Sequence, residues 1–240
     1  MLLAYRVRDA ERRGGAVVIA RSEDGERFST VATLEKERFG AESLERPALV
    51  HAGAGWRLYV SCATPGSKHW RIDVLEAADP ASFGDSQTVF AGDERTGVKD
   101  PVIRFADGRW HAWICCHPLD IAGEEDRMTS AYATSSDGLR WDWHGTVLAP
   151  RPGAWDARGT RVTAVVPGRA YYDGRATKEE NFSERTGLAE RANTRLRAVG
   201  DEPLGDFRYL DVLAVSGGER WYYEAPLPDG SHELRTELTR

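Results

Sequence analysis

The sequence predicts an all-β fold, specifically a five-bladed β-propeller, on the basis of three observations. Aromatic residues at the centres of predicted strands recur about every 50 residues, a period that indicates a propeller or a repeat array. Glycine-bearing turns follow short runs of β-branched residues, as in hairpins. No long stretch shows helical periodicity. The aromatic centres are Tyr5, Tyr59, Trp113, Tyr172 and Tyr223.

Four of the repeats contain a first strand upstream of the aromatic centre. Each such strand starts near a charged residue and continues with apolar and β-branched residues, the pattern of a strand buried in a stacked sheet. We therefore expect a hairpin of first and second strands in each of these four blades. The predicted first strands are residues 46–49, 100–103, 161–164 and 211–214.

The repeat centred on Tyr5 has no first strand before it, because only residues 1–4 precede it. Three explanations remain open. The first blade is incomplete, residues 232–235 supply a closing strand, or an upstream strand is missing from the sequence. Because no linker is visible, residues 1–240 are expected to form a single propeller domain.

Two related boxes, Ser-x-Asp-Gly-x-x-aromatic, lie at residues 22–28 and 135–141. We expect both on hairpins between outer strands, where the aromatic residue packs between neighbouring blades. Serine and aspartate suit these turns because their short side chains accept backbone N–H groups. The boxes are therefore interpreted as structural.

The composition limits the classes of partner. A net charge of −6 over 240 residues indicates no general surface for nucleic acid or anionic membranes. The N-terminus lacks a signal-peptide pattern and no apolar run has the length of a membrane span, so the expected location is the cytoplasm. The histidines form no pair with helical metal spacing, and the sequence has no phosphate loop or dinucleotide fingerprint. We therefore expect no metal and no cofactor.

Three motifs together resemble those of the five-bladed propeller glycosidases, a superfamily that includes arabinanases, xylosidases, invertases and mannoside phosphorylases. They are Lys-Asp-Pro at residues 99–101, the two Ser-x-Asp-Gly boxes, and Tyr-Tyr-Asp-Gly at residues 171–174. The resemblance covers essentially the whole chain. It implies that first strands line a central funnel, that carboxylates from several of them form the active site, and that Asp100 orients the substrate or tunes the pKa of the acid.

The chain departs from this superfamily at two catalytic positions. The general base or nucleophile normally comes from the first strand of the first blade, which the predicted repeat lacks. The acid is usually a glutamate near the first strand of the fourth blade, where this chain offers only Asp156.

Carboxylates near strand starts are the expected catalytic groups, since glycoside hydrolysis needs two carboxyl groups flanking the scissile bond. Acids that converge raise the pKa of some members, as a general acid requires. The candidates are Asp100, Glu45, Asp156 and Asp211, with Glu184 as a further acid in the loop before the third strand of the fourth blade.

Structural alternatives exist for several acids. Glu45 could pair with a neighbouring arginine, and Asp211 could bond to a backbone turn. Asp173 and Glu224 stand where other second strands have apolar residues, so each needs a partner and is interpreted as a salt-bridge acid.

The same strand starts carry more basic residues than a neutral sugar needs, and these could clamp a carboxylate or phosphate. An anionic or phosphorylated sugar, or phosphorolysis, therefore becomes plausible; the alternative is a set of acid–base pairs that neutralise one another. The expected substrate-binding residues are Arg46, Lys99, Arg158, Arg161 and Tyr209, together with Trp70 and Trp155 for stacking on a sugar face.

Two functions follow. The first is a carbohydrate-active propeller, a glycoside hydrolase-like enzyme whose partner is a small or anionic carbohydrate. The second is a non-catalytic glycan-binding or protein-interaction propeller, motivated by the missing first-blade strand; the fold alone does not choose between them. An incomplete first blade would expose a strand edge, so a homodimer is a further expectation.

Overall fold

The computed structural model describes residues 1–8, 14–53, 55–192 and 194–239. Across these ranges the chain has 18 strands in five antiparallel sheets, one 3₁₀ turn at Lys36–Phe39 and no α-helix. The five sheets are the blades of a five-bladed β-propeller, which confirms the predicted fold class. Within the described residues, no helix is long and apolar enough to span a bilayer.

Strands follow one another in chain order within every sheet, so each sheet is a meander of hairpins. The first sheet comprises β1 (Leu2–Val7), β2 (Ala16–Arg21) and β3 (Ser29–Glu35). The second comprises β4 (Leu44–Ala52), β5 (Gly55–Ala63), β6 (Trp70–Ala77) and β7 (Gln87–Phe90). The third comprises β8 (Thr96–Ala106), β9 (Arg109–Pro118), β10 (Thr129–Ser135) and β11 (Asp142–Leu148). The fourth comprises β12 (Gly159–Val166), β13 (Arg169–Arg175), β14 (Arg185–Ala192) and β15 (Arg195–Val199). The fifth comprises β16 (Arg208–Val215), β17 (Gly218–Pro226) and β18 (His232–Thr239).

The chain divides into two compact units. The first unit is residues 1–125 with 133–144, and the second is residues 126–132 with 145–240. The first unit contains the first two sheets together with β8 and β9, and the second contains the fourth and fifth sheets. A single domain over residues 1–240 stays a prediction.

Four of the five predicted aromatic centres lie in second strands, namely Tyr59 in β5, Trp113 in β9, Tyr172 in β13 and Tyr223 in β17. Tyr5 differs, because it lies in β1, the first strand of its sheet. A tyrosine in a short, largely apolar run suits either a first or a second strand, so the sequence pattern could not separate the two. β1 packs beside β4, just as β4 packs beside β8.

The first sheet therefore has its first strand and contains three strands in total. Residues 232–235 do not close it, because they lie in β18, which pairs with β17. In the first sheet, β1 is therefore the counterpart of the first strands of the other four sheets.

An apolar core lies between the first two sheets and holds their first strands in place. Val17 and Ile19 of β2 pack with Leu58 of β5, and none of these side chains is accessible to solvent. Complete burial of such a side chain contributes about 1.5–3 kcal/mol. In the second unit the corresponding cluster, between the fourth and fifth sheets, is Ala164, Tyr171, Leu210 and Val212.

Both Ser-x-Asp-Gly boxes form the capped turns that the sequence predicts. Ser135 Oγ accepts the N–H of Gly138 (2.8 Å), and Asp137 Oδ1 accepts the N–H of Arg140 (2.8 Å). The box at residues 22–28 has the same hydrogen bonds. These turns are stabilised by their own side chains, which supports the structural interpretation.

The second box also joins the second sheet to the third. Trp141 packs against Phe90 and Tyr59 of the second sheet, with ring centroids 5.1 and 6.3 Å away. The Tyr59 hydroxyl donates to the carbonyl of Gly138 (2.9 Å). Because Tyr59 is completely buried, desolvation raises the pKa of its hydroxyl, which stays a donor.

Candidate functional site

β-Bulges lie near the starts of three first strands, in β4, β8 and β16. A bulge adds a residue to one strand and re-aims its side chain. In β8 the bulge includes Asp100 (φ 50°), and in β16 it includes Tyr209 (φ 55°). Residues other than glycine rarely adopt this left-handed backbone conformation, and tyrosine adopts it less readily than aspartate. Strained residues of this kind concentrate at functional sites.

The N–H groups of the two bulged residues find acceptors on the second strand of the preceding sheet. Asp100 donates its N–H to Ser61 Oγ in β5 (2.8 Å). Tyr209 donates its N–H to Asp173 Oδ2 in β13 (3.1 Å). The same backbone arrangement therefore occurs between the second and third sheets and between the fourth and fifth sheets.

Asp100 is completely buried in the first unit and lies beside Lys99. The Lys99 Nζ is 3.6 Å from Asp100 Oδ2. The same ammonium lies over the indole of Trp70, 5.0 Å from the ring centroid. Lys99 therefore covers one face of the ring that we expected to stack on a sugar.

Glu45 and Arg46 are the second and third residues of β4, the strand next to the one that carries Asp100. The buried Glu45 carboxylate forms an ion pair with Arg6 of β1, as the structural alternative expected. The Ser61 hydroxyl donates to the carbonyl of Arg46 (3.2 Å) while it accepts the N–H of Asp100. Ser61 thus links the bulge of β4 to the bulge of β8. It brings the predicted residues Arg46 and Asp100 together.

Glu184 is surrounded by three buried guanidinium groups in the second unit. Arg208 Nη1 donates to its Oε2 (2.9 Å) and Arg175 Nη1 to its Oε1 (3.3 Å), while Arg161 Nη2 lies 3.9 Å from Oε1. Burial by itself would raise the pKa, but the three cations outweigh it and lower the pKa of Glu184 to about 2. Glu184 is thus ionised at neutral pH, which suits an electrostatic role and not proton donation.

Arg161 connects this cluster to Tyr209. Its Nη2 donates to Asp173 Oδ2 (2.6 Å), and its Nη1 donates to the Tyr209 hydroxyl (2.8 Å). The guanidinium also stacks over the Tyr209 ring, 3.9 Å from the centroid. Burial raises the pKa of Asp173, and the Arg161 charge opposes that rise. Asp173 holds both the Arg161 side chain and the Tyr209 backbone, so it fixes their relative orientation.

Other basic residues of the second unit also have carboxylate partners. Arg158 makes a two-point contact with Asp126 (2.9 and 2.7 Å), and Arg208 Nε donates to Glu224 (3.0 Å). Burial opposes ionisation of Asp126, yet the Arg158 contact lowers its pKa overall. Asp173 and Glu224 are therefore salt-bridge acids, as interpreted from the sequence. Of the predicted bases, Lys99, Arg158 and Arg161 each have a carboxylate within 4.0 Å.

Asp156 is completely buried in the loop before β12. Arg151 Nε contacts both of its carboxylate oxygens (3.0 and 2.9 Å), and the Tyr172 hydroxyl donates to Oδ2 (2.8 Å). These contacts fasten the loop onto the fourth sheet. These contacts support a structural role for Asp156, and its partners differ from those of Glu184.

The neighbouring Trp155 is enclosed by the same sheet. Its ring stacks on Tyr172 with centroids 5.6 Å apart, and the Arg185 guanidinium lies over it at 5.6 Å. Gly174 and Gly187 make room for the indole, since a Cβ at either position would lie 2.6 Å from it. Only 8% of Trp155 is exposed, so little of the ring is available to a sugar.

Asp211 is exposed and accepts the N–H of Val212 (2.9 Å), which matches its structural alternative. The sequence aligned it with Asp100 as a charged strand start. The strand pairing makes Asp211 equivalent to Val102 of β8, and Tyr209 occupies the position equivalent to Asp100. Sequence reasoning also missed Arg175 and Arg208. For Arg208 a signal existed, because Glu224 needed a buried partner.

In the superfamily that the sequence resembles, the general base normally comes from the first strand of the first blade. In this chain that strand is β1. Its only charged residue is Arg6, so this strand supplies no carboxylate. Among the described residues, no group of three or more His, Cys, Asp or Glu side chains could hold a metal ion.

No protein-family model matches the chain, and no curated protein matches its sequence significantly. Solved structures do match. A thermostable family-43 glycoside hydrolase has a TM-score of 0.73 at 14% identity, over 98% of this chain and 88% of that one. An α-L-arabinofuranosidase from Lactobacillus brevis has a TM-score of 0.69 at 14% identity, over 98% of this chain and 89% of that one.

A phosphorylase is also similar. The β-1,2-mannobiose phosphorylase from Listeria innocua has a TM-score of 0.65 at 17% identity over 92% of this chain. This chain spans only 65% of the length of that phosphorylase. The chain therefore has the fold of the five-bladed propeller glycoside hydrolases and phosphorylases, which confirms the resemblance seen in its sequence.

Proposed function

We propose that this chain is a carbohydrate-active protein, a glycoside hydrolase-like enzyme that acts on a small or anionic glycan. One observation carries the proposal. Asp100 is a completely buried carboxylate on a left-handed residue, at the bulge in the first strand of the third blade. Burying a carboxylate and straining its backbone both cost free energy, and residues that combine them are concentrated at functional sites.

Asp100 is completely buried, so we assign it a positioning role: it acts on the sugar through Lys99, whose ammonium lies 3.6 Å from its Oδ2. Arg46, on the adjacent first strand of the same unit, provides hydrogen-bond donors for an anionic substituent. The second unit has its own candidate for sugar contact, the half-buried Tyr209, whose hydroxyl accepts a hydrogen bond from Arg161. The support for these roles is the position of Asp100, Arg46 and Tyr209 at bulges of first strands and their contacts within each unit.

The test is turnover of a panel of aryl glycosides and oligosaccharides, including β-1,2-mannobiose and arabino-oligosaccharides, each with and without phosphate. For any substrate that is hydrolysed, Asp100→Asn should lower kcat/KM by about 10²-fold or more.

Asp107→Asn is the matched control, because Asp107 is also a left-handed aspartate (φ 52°) but lies in the turn between β8 and β9. This variant should keep wild-type turnover. Wild-type turnover by Asp100→Asn would refute the assignment.

A non-catalytic glycan-binding protein is the second candidate, and the ion pairs favour it. Glu45, Asp156 and Glu184 each contact arginine, so three predicted acids are held by cations. This function predicts calorimetric binding of a panel member with no turnover at any pH. Any hydrolysis that Asp100→Asn abolishes would exclude it.

Phosphorolysis is a variant of the enzymatic proposal, supported by the basic residues and by the similar mannobiose phosphorylase. It predicts that turnover requires inorganic phosphate and yields a sugar phosphate. Equal turnover in phosphate-free buffer would leave hydrolysis as the reaction.

A further inference from the structure

Phe182 is both exposed and strained. It lies in the loop between β13 and β14 with φ 81°, and 47% of its surface is accessible to solvent. The left-handed conformation is unfavourable for a bulky side chain. An exposed ring also forgoes the free energy that burial in the core would contribute.

Buried arginines hold the loop in this conformation. Arg208 Nη1 donates to the Phe182 carbonyl (3.2 Å) and also to Glu184 Oε2 (2.9 Å). Arg175, which contacts Glu184 as well, donates to Asn181 Oδ1 (2.6 Å). The backbone around Phe182 is thus bonded directly to the Glu184 cluster.

The base of the same loop is closed by Glu180. Its Oε2 accepts the N–H of Ala176 (2.6 Å), and its carboxylate pairs with Arg185 of β14 (3.2 Å). Contacts at both ends and in the middle keep the loop ordered, so the Phe182 ring is presented to solvent in a defined place.

We infer that Phe182 is a sugar-contacting residue that determines specificity, its ring packing against the C–H face of a sugar bound beside the loop that the buried Glu184 cluster holds. This inference rests on the proposed function. Sugars commonly stack on aromatic rings because one face of the pyranose or furanose is apolar. The half-buried Tyr209, whose hydroxyl is bonded to Arg161 of that cluster, supplies a polar contact.

This assignment gives Phe182 the role that the sequence suggested for Trp70 and Trp155. Lys99 lies over the ring of Trp70, and Trp155 is enclosed by the fourth sheet. Phe182 is more exposed than Trp155, 47% against 8%.

The experiment compares Phe182→Gly and Phe182→Trp with the wild type, using calorimetric titration with β-1,2-mannobiose and the aryl glycosides of the panel, and thermal unfolding of each variant. Phe182→Gly should raise the Tm, because glycine adopts a positive φ without strain. It should nevertheless weaken sugar binding by about tenfold or more. Phe182→Trp should retain affinity within about threefold of the wild type.

Asp107→Gly is the matched control, since it relieves the same kind of strain in a turn of the first unit (φ 52°). It should raise the Tm without changing affinity. If Phe182→Gly binds the sugar as tightly as the wild type, or if its Tm falls, Phe182 has a structural role and the inference is wrong. If the wild-type chain binds no member of the panel, the proposed function fails and the inference fails with it.

Discussion

The bulges of β8 and β16 share a backbone conformation and differ in chemistry. Asp100 and Tyr209 have φ angles of 50° and 55°, and each donates its N–H to the second strand of the preceding sheet. The acceptor is a neutral hydroxyl, Ser61, in the first unit and a carboxylate, Asp173, in the second. The third and fifth blades therefore share the backbone conformation of the bulge, but they carry different side chains there.

The surroundings of the two bulges differ in the same way. One ammonium group, that of Lys99, lies beside Asp100. Around Tyr209 the contacts are more numerous: Arg161 donates to Asp173 and forms an ion pair with Glu184, which also accepts a hydrogen bond from Arg208. Networks of buried charges lose much stability when one member is removed, whereas a single neutral contact loses less. Three predictions test this difference.

The largest effect is expected from Glu184→Gln. Removing this charge leaves three buried guanidinium groups without their shared counter-ion, and the free energy of unfolding should fall by about 3–5 kcal/mol. Urea unfolding measures it. Glu190→Gln is the control, because Glu190 pairs with Arg197 at the surface and should contribute less than about 1 kcal/mol. Equal effects of the two variants would show that the cluster is not a cooperative network.

Acid should remove the contribution of Glu184. Its pKa is lowered from 4.5 to about 2 in the folded chain, so its contribution is complete above pH 4.5 and disappears as the pH falls towards 2. The contribution is roughly 3 kcal/mol. The difference in unfolding free energy between wild type and Glu184→Gln should shrink over this window. A difference that stays constant down to pH 2 would contradict the lowered pKa.

The smallest of the three effects is expected from Ser61→Ala in the first unit. It removes the acceptor of the buried Asp100 N–H and should lower the free energy of unfolding by about 1–3 kcal/mol. Ser82→Ala, at an exposed position, is the control and should change stability by less than about 0.5 kcal/mol. A loss as large as that of Glu184→Gln would remove the distinction between the two bulges.

Much of the candidate site could be predicted from local sequence. Glu45, Arg46, Lys99 and Asp100 were expected at strand starts, and the structure groups them on adjacent strands of the first unit. The partners of Asp173 and Glu224 could be anticipated because an acid in a buried strand needs a cation. Asp211 shows the limit, since an alignment on charged residues placed it at the Asp100 position, which Tyr209 occupies in the structure, and charge alone does not reveal strand pairing.

The sequence by itself determined the blades of this protein. Aromatic centres, glycine turns and the two Ser-x-Asp-Gly boxes are local signals, and each depends on residues a few positions apart. Only the tertiary structure decided which charges meet. The cluster of Glu184 with Arg161, Arg175 and Arg208 joins three different strands to the loop that also carries the exposed Phe182. Pairing between groups on different strands depends on register and strain, which the order of residues does not display.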